Sequence, residues 1–476
     1  MEFIGRKKEL ESLELLLKKR LASMVVIRGR RRVGKSRLIK EFASDKKSWN
    51  FSGLPPVPGI TKQRQLDAFS TQISQNLNMP KIQVSEWIEH FTFLGNQAKG
   101  QKIIIILDEI SWMGSKDPDF LGQLKTAWDM YFSDNPDLIL ILCGSVSSWI
   151  ERNILKSTGF VGRISVDMIL EELSISESGE FWRNQKNKIS AYEKFKMLSV
   201  TGGIPKYLEE IIPSQSTEDN IHRLCFQSNG LLFREFEQIF SDLFSKRAQT
   251  YSNIIKTLAH APLTLDEVCE KLNLEKSGSI SRCLDDLSLA GFVQEDCTWN
   301  ISTKAESRLK KFRLKDNYLR FYLRYIVPNK DRISKGVFES KTFMHMPGWE
   351  SVMGLQFENL VVTNLKNLCK ILRIDLLEVL NAGPFFQRAT KRQKGCQIDL
   401  MIQTKHNNLY ICEIKFRTSE IKSSVIQEIE KKIERLAIPK GFSIRPVLIH
   451  VNGVSQGVRE SELFNDIIDF SRFFET

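Results

Sequence analysis

The sequence predicts an α/β multidomain protein, and three observations carry that prediction. Near the start, "MVVIRGRRRVGKSRLI" (24–39) is a β-branched run, a glycine-rich loop and then a helical pattern, the mark of a parallel-sheet domain. Near the end, "CQIDLMIQTKHNNLYICEIKF" (396–416) sets two alternating apolar runs around a polar turn, the mark of a second sheet. At 476 residues the chain also exceeds what one hydrophobic core holds, so about three domains are expected.

Composition narrows the class. With 42% hydrophobic and 26% charged residues the chain is ordinarily globular, and no apolar run approaches the roughly 18 residues of a membrane span. The opening "MEFIGRKKELESLELLLKK" mixes charge and leucine at helical spacing without an apolar h-region, so no signal peptide is read and a cytoplasmic location is expected. Eight cysteines lie scattered without a C-x-x-C pair, as for reduced core thiols, and six histidines show no ligand spacing, so a structural zinc has no support. A net charge of +12 favours a polyanionic partner and equally suits a basic protein with none.

Gly29-x-x-x-x-Gly34-Lys35-Ser36 after the run Val25–Ile27 is a Walker A loop in its required strand and helix context. Backbone N–H groups from Gly29, Arg30, Arg31, Arg32, Val33 and Gly34 to Arg37 cradle phosphates at a helix N-terminus; Lys35 meets the β and γ oxygens and Ser36 ligates Mg²⁺. "IIIILDEI" (103–110) is an apolar strand ending in two acids, which assigns Asp108 to Mg²⁺ through water and Glu109 to the general base that polarises the attacking water. ATP and Mg²⁺ are the expected cofactors.

A further apolar strand, "LILILCGSVSSWI", ends at Gly144-Ser145, which looks like the sensor 1 position of AAA-type ATPases, and "FVGRISV" supplies Arg163 as a candidate for the γ-phosphate. Together, "FIGRKKELESL", "GRRRVGKS", "LDEI", "CGSVSSWI", "GRI" and "TGGIPKYLEEI" resemble the archaeal-type AAA ATPases of the STAND class. That resemblance implies a P-loop NTPase core over 1–170 with a helical lid over 171–245, Gly5 and Arg6 as a box near the nucleotide, and Gly203 and Pro205 in the lid against it. It also implies a slow switch rather than a motor, with a nucleotide-dependent homo-oligomer as a further expectation.

From Tyr251, three short amphipathic helices with a turn at Leu274–Gly278 and a hairpin in "VQEDCTWNIS" read as a winged helix-turn-helix over 246–305. Its recognition helix offers Arg282 but also Asp285 and Asp286, which repel phosphates. The tract "TKAESRLKKFRLK" is either a phosphate-contacting surface or a solvated helix face, and "NYLRFYLRYIVPNK" reads as a buried docking helix; 306–345 is taken as basic and aromatic connecting helices.

In "LYICEIKF" the period of two puts Glu413 and Lys415 on one face, and the turn "TKHNN" brings Asp399 toward them. A cross-strand salt bridge on a wet face is the bland alternative. An acid, then Glu-x-Lys on a hairpin, after the helix "GLQFENLVVTNL" with Glu358, resembles the restriction-endonuclease-like D…(D/E)-x-K fold over 346–476, although Ile398 stands where the PD variant has proline. By that resemblance Asp399 and Glu413 are Mg²⁺ ligands, Lys415 the catalytic lysine and Glu358 the auxiliary acid, with Gln427 and Lys431 of a later helix nearby. The expected function is an ATP-hydrolysing switch controlling a Mg²⁺-dependent DNA nuclease-like domain, with nucleic acid as partner and no membrane. The alternative is an ATP-gated DNA-binding or scaffold protein whose nuclease-like fold is inactive.

Overall fold

The computed structural model describes residues 2–145, 147–185, 188–243, 248–275, 278–338, 343–391 and 393–476. They fall into two compact units, Met1–Glu172 with Leu289–Gly291, and Leu173–Ser288 with Phe292–Thr476. Among the described residues no helix is long and apolar enough to cross a membrane. All eight cysteines are free, and every one but Cys297 is buried.

Five parallel strands build the first unit: β1 (Ser23–Arg28), β2 (Ser48–Ser52), β3 (Ile103–Asp108), β4 (Leu138–Gly144) and β5 (Ile164–Ile169), in the order β2-β3-β4-β1-β5. Successive residues serve opposite faces. Met24, Val26, Ile105 and Leu140 join an aromatic cluster with Phe51, Phe69, Trp87 and Phe91, while Val25, Ile27, Ile106 and Ile141 pack on Leu38 and Phe42. Both faces are covered, which is why β1 and β4 are buried at every position and apolar through their middles. The strand order sets the C-terminal ends of β1, β3 and β4 side by side, the edge where such sheets bind ligands.

In the second unit the helices Ala248–Leu258, Leu265–Lys271 and Gly278–Leu289 lead into an antiparallel hairpin of β6 (Val293–Trp299) and β7 (Glu306–Leu314). The expectation of connecting helices over 306–345 is therefore corrected for 306–314, where the basic tract is the hairpin's second strand and "VQEDCTWNIS" only its first; helices begin at Asn317. Along β7 exposed Glu306, Arg308 and Lys310 alternate with half-buried Ser307, Leu309 and Lys311, so its period is two. The reading of "NYLRFYLRYI" as packing agrees with the burial of Tyr318, Phe321, Tyr322 and Tyr325. The turn placed at Leu274–Gly278 includes residues 276–277, and the boundary at 245/246 falls within 244–247, both outside the described residues.

A mixed sheet closes this unit, with β8 (Val379–Gln387), β9 (Cys396–Thr404), β10 (Asn408–Lys415), β11 (Ser443–His450) and β12 (Asp466–Asp469) in the order β12-β11-β10-β9-β8. β8, β9 and β10 pair antiparallel, and β10, β11 and β12 parallel. Thr404 ends β9 and Asn408 opens β10, with Asn407 left-handed at φ 53° to make the turn. The hairpin is pinned to this sheet by Trp299, which packs among Phe385, Ile398 and Met401 and donates its indole N–H to Gln403 Oε1 at 2.7 Å.

Candidate functional site

The loop between β1 and the helix Lys35–Phe42 depends on glycine at both ends. A Cβ on Gly29 would stand 2.2 Å from the Leu170 carbonyl oxygen, and Gly34 caps the helix at φ 94°. Lys35 is buried, and its ammonium donates to the carbonyls of Gly29 (2.8 Å) and Arg30 (3.0 Å). Burial draws its pKa down. Ser36 Oγ donates to Asp108 Oδ2 at 2.9 Å, linking the helix start to the end of β3. These hard oxygens suit Mg²⁺, which binds through one or two carboxylates and keeps several waters, so the pair fits the ion.

Glu109 is held from the neighbouring strand. Ser145, just past β4, donates its hydroxyl to both Glu109 oxygens at 3.0 Å and its N–H at 3.2 Å. Glu109 (φ 49°) and Arg32 (φ 72°) are both left-handed without being glycine, a conformation that tertiary structure must enforce. Gly5 (φ 72°) and Arg6 (φ 61°) turn the chain so that the buried Arg6 guanidinium reaches the Val33 carbonyl at 3.1 Å and that of Glu171. Arg30 is buried and lies 3.9 Å from Glu172; Arg37 is exposed beside Glu41. Arg163 is committed elsewhere: it grips Asp129 in a two-pronged pair at 2.7 and 2.9 Å, which pulls the Asp129 carboxyl down to about 2. In the second unit, Pro205 opens a short helix, and a Cβ on Gly203 would stand 2.1 Å from the Leu173 carbonyl oxygen, so close backbone packing already requires that glycine.

The structure brings Asp399, Glu413 and Lys415 together. Asp399 on β9 accepts from the Ile414 N–H at 2.9 Å, and Lys415 Nζ lies 3.4 Å from Glu413 Oε1. Two residues not anticipated complete the group, both on the helix Ser424–Arg435. Lys432 Nζ is 2.5 Å from Glu413 Oε2 and 3.9 Å from Asp399 Oδ1, while Glu428 accepts from Lys415 at 2.7 Å. Gln427 and Lys431, the positions expected there, are exposed. The apolar stripe Val425, Ile429 and Leu436 was the available signal: Lys432, three residues after Ile429, lies on that inner face. Burial, with the nearby charges of Glu413 and Glu358, pushes the Asp399 carboxyl well up. For Lys432 burial opposes the charge, but Asp399 and Glu413 outweigh it and raise its pKa.

Glu358, on the helix Trp349–Thr363, lies within electrostatic reach of Asp399 and Glu413. Among the described residues no three carboxylates, imidazoles or thiols are grouped to hold a metal; Asp399 and Glu413, both beside Lys432, are hard carboxylates of the kind Mg²⁺ takes. Burial raises the Glu358 pKa while Arg313 and Arg320 oppose the rise. Arg313 is itself buried, paired with both Asp296 oxygens (2.7 and 3.1 Å) and bonded to Asn359. Arg320, fully buried and drawn down to about 9 by desolvation, donates to Gln356 Oε1 at 2.6 Å and the Leu314 carbonyl at 2.7 Å. Both amides flank Glu358 on the helix Trp349–Thr363.

Comparison with known proteins agrees with the first of these sites. Residues 3–211 match an ATPase domain found predominantly in Archaea, and residues 322–429 match a family of archaeal and bacterial proteins of unknown function. An uncharacterized protein of Methanocaldococcus jannaschii is 23% identical over 439 residues, 91% of each chain. An uncharacterized ATP-binding protein of that organism is 49% identical over 45 residues, 10% of this chain and 76% of its own. The Walker-type ATPase of Pyrococcus abyssi, a solved structure, shares the fold at a TM-score of 0.50 and 16% identity, over 68% of this chain and 96% of that one. The N-terminal part of the chain is an archaeal-type P-loop ATPase domain, and the protein is an ATP-hydrolysing enzyme.

Proposed function

We infer that the protein is an ATP-driven switch governing a Mg²⁺-dependent, nuclease-like site that acts on DNA. One observation carries this reading: Asp399, Glu413, Lys415 and Lys432 converge from two strands and a helix in a chain that also holds a P-loop ATPase domain. At the ATP site Lys35 is the cation for the β and γ oxygens, and Ser36, with Asp108 through water, would hold a Mg²⁺ that, when bound, neutralises phosphate charge. Glu109, oriented by Ser145, takes the proton of the attacking water. The three helices and hairpin over residues 248–314 support a winged-helix reading of the middle of the chain.

At the second site Asp399 and Glu413 offer the oxygens for a Mg²⁺ whose chemistry, when bound, is to acidify a water and screen the phosphodiester. Lys415, tethered by Glu428, is placed to orient that water and to offset charge on the phosphate. A second reading, an ATP-gated DNA-binding or scaffold protein with an inactive site, has its own support, because a lysine already bonds each Glu413 oxygen. Incubating the protein with plasmid and linear DNA, Mg²⁺ or Mn²⁺, with and without ATP, beside Glu413→Ala separates the two. Cleavage that disappears in Glu413→Ala is the expected result; no cleavage in any nucleotide state transfers the case to the second reading.

A further inference from the structure

A groove runs between the β6–β7 hairpin and the C-terminal sheet. It has a volume of about 700 Å³ and abuts a second hollow of about 410 Å³ that shares Leu309, Phe386, Gln387 and Arg388 as walls. Groove and hollow together gather cations from separate elements: Lys311 of β7, Arg388 just past β8, and Lys432 and Arg435 of one helix line the groove, and Arg308 of β7 lines the adjoining hollow, with Arg388 common to both. Arg308, Arg388 and Arg435 are exposed, and no carboxylate of the described residues lies within ion-pair distance of them. Lys311 lies over the buried Phe386 ring, 5.2 Å from its centre. The acids on the rim have a local role: Asp266 and Glu267 occupy the first turn of the helix Leu265–Lys271, where Glu267 closes a capping box with Thr264.

We propose that this groove binds the sugar–phosphate backbone of a DNA strand and leads it to Asp399 and Glu413, an inference that rests on the nuclease-like reading of those residues. The link is Lys432, which lines the groove while its ammonium contacts Glu413. Unpaired arginines along an open channel are what a polyanion needs, since each phosphate they neutralise releases condensed counterions. The ring of Phe386 is buried, so the grip is on phosphates rather than by base stacking. The groove therefore favours no particular base sequence.

Binding is measured on the full chain in EDTA, by anisotropy of labelled single-stranded and duplex oligonucleotides across a salt series, so that cleavage plays no part. Arg308→Glu, Arg388→Glu and Arg435→Glu together should weaken binding at least tenfold. Each single reversal should flatten the slope of log affinity against log salt by roughly 0.7 for a single strand or 0.9 for a duplex. Because the singles lie on different elements, a triple variant that fails to fold leaves the test intact. Unchanged affinity and slope in all three singles overturns the groove. If binding falls in these variants but the parent never cleaves DNA, the groove stands and the nuclease reading falls. Cleavage undiminished by the reversals does the opposite.

Discussion

The roles proposed for Lys35 and Glu109 in ATP hydrolysis are testable one residue at a time. The Lys35 ammonium donates to two backbone carbonyls, whereas the Glu109 carboxylate is held by the hydroxyl and N–H of Ser145. Lys35→Ala should lose nucleotide binding, while Glu109→Gln should bind ATP normally and turn it over about 100-fold or more slowly. Binding by fluorescent nucleotide and single-turnover hydrolysis check this, and full turnover in Glu109→Gln removes it from the base role. A different residue makes stability respond to acid. His90, against Phe69 and Trp87, has its pKa lowered to about 4 by burial, from an ordinary value near 6.5. Below pH 6.5 the unfolded chain binds the proton that the folded ring refuses, so stability present above that pH is lost as pH falls toward 4, by on the order of 3 kcal/mol. His90→Gln should flatten the melting temperature between those pH values; an unaltered pH profile would show that His90 is not the group responsible.

Among the elements, the β6–β7 hairpin and the helix Trp349–Thr363 are joined through Arg313, which holds Asp296 within the hairpin and Asn359 on the helix. Both members of the ion pair are 7% exposed. Removing one charge leaves the other buried without its partner, so Arg313→Met should cost about 3–5 kcal/mol, and adding Asp296→Leu should restore most of it. Denaturant midpoints test this, and additive losses in the double variant would refute it. The same elements mark what the sequence made legible. The Walker loop is contiguous and its backbone requirements are written into Gly29 and Gly34, and Glu413 and Lys415 follow from a period of two. Lys432 was missed because its place depends on how the apolar stripe of its helix faces β9, a register that charge alone does not reveal. β7 was misread because its lysines and arginines hide the alternation. Arg313 lies in a tract that reads as solvated, and its partner Asn359 is distant in sequence, beyond the reach of local patterning.

For the molecule as a whole, the proposed switch requires a coupling free energy between the ATP site and DNA binding, and such coupling is reciprocal. If ATP changes the affinity for DNA by some factor, roughly 5- to 150-fold for typical allosteric proteins, then DNA must change the affinity for ATP by the same factor. Measuring DNA affinity with and without a non-hydrolysable ATP analogue, and analogue affinity with and without DNA, should return equal ratios in the parent. Lys35→Ala should bring the DNA-affinity ratio to one while preserving DNA binding itself. Glu413→Ala should leave ATP turnover unaltered, since its side chain belongs to the second compact unit and to the other chemistry. Should the parent bind DNA equally well in both nucleotide states, the two sites would be independent activities carried on one chain, and the switch would be abandoned even if both proved active.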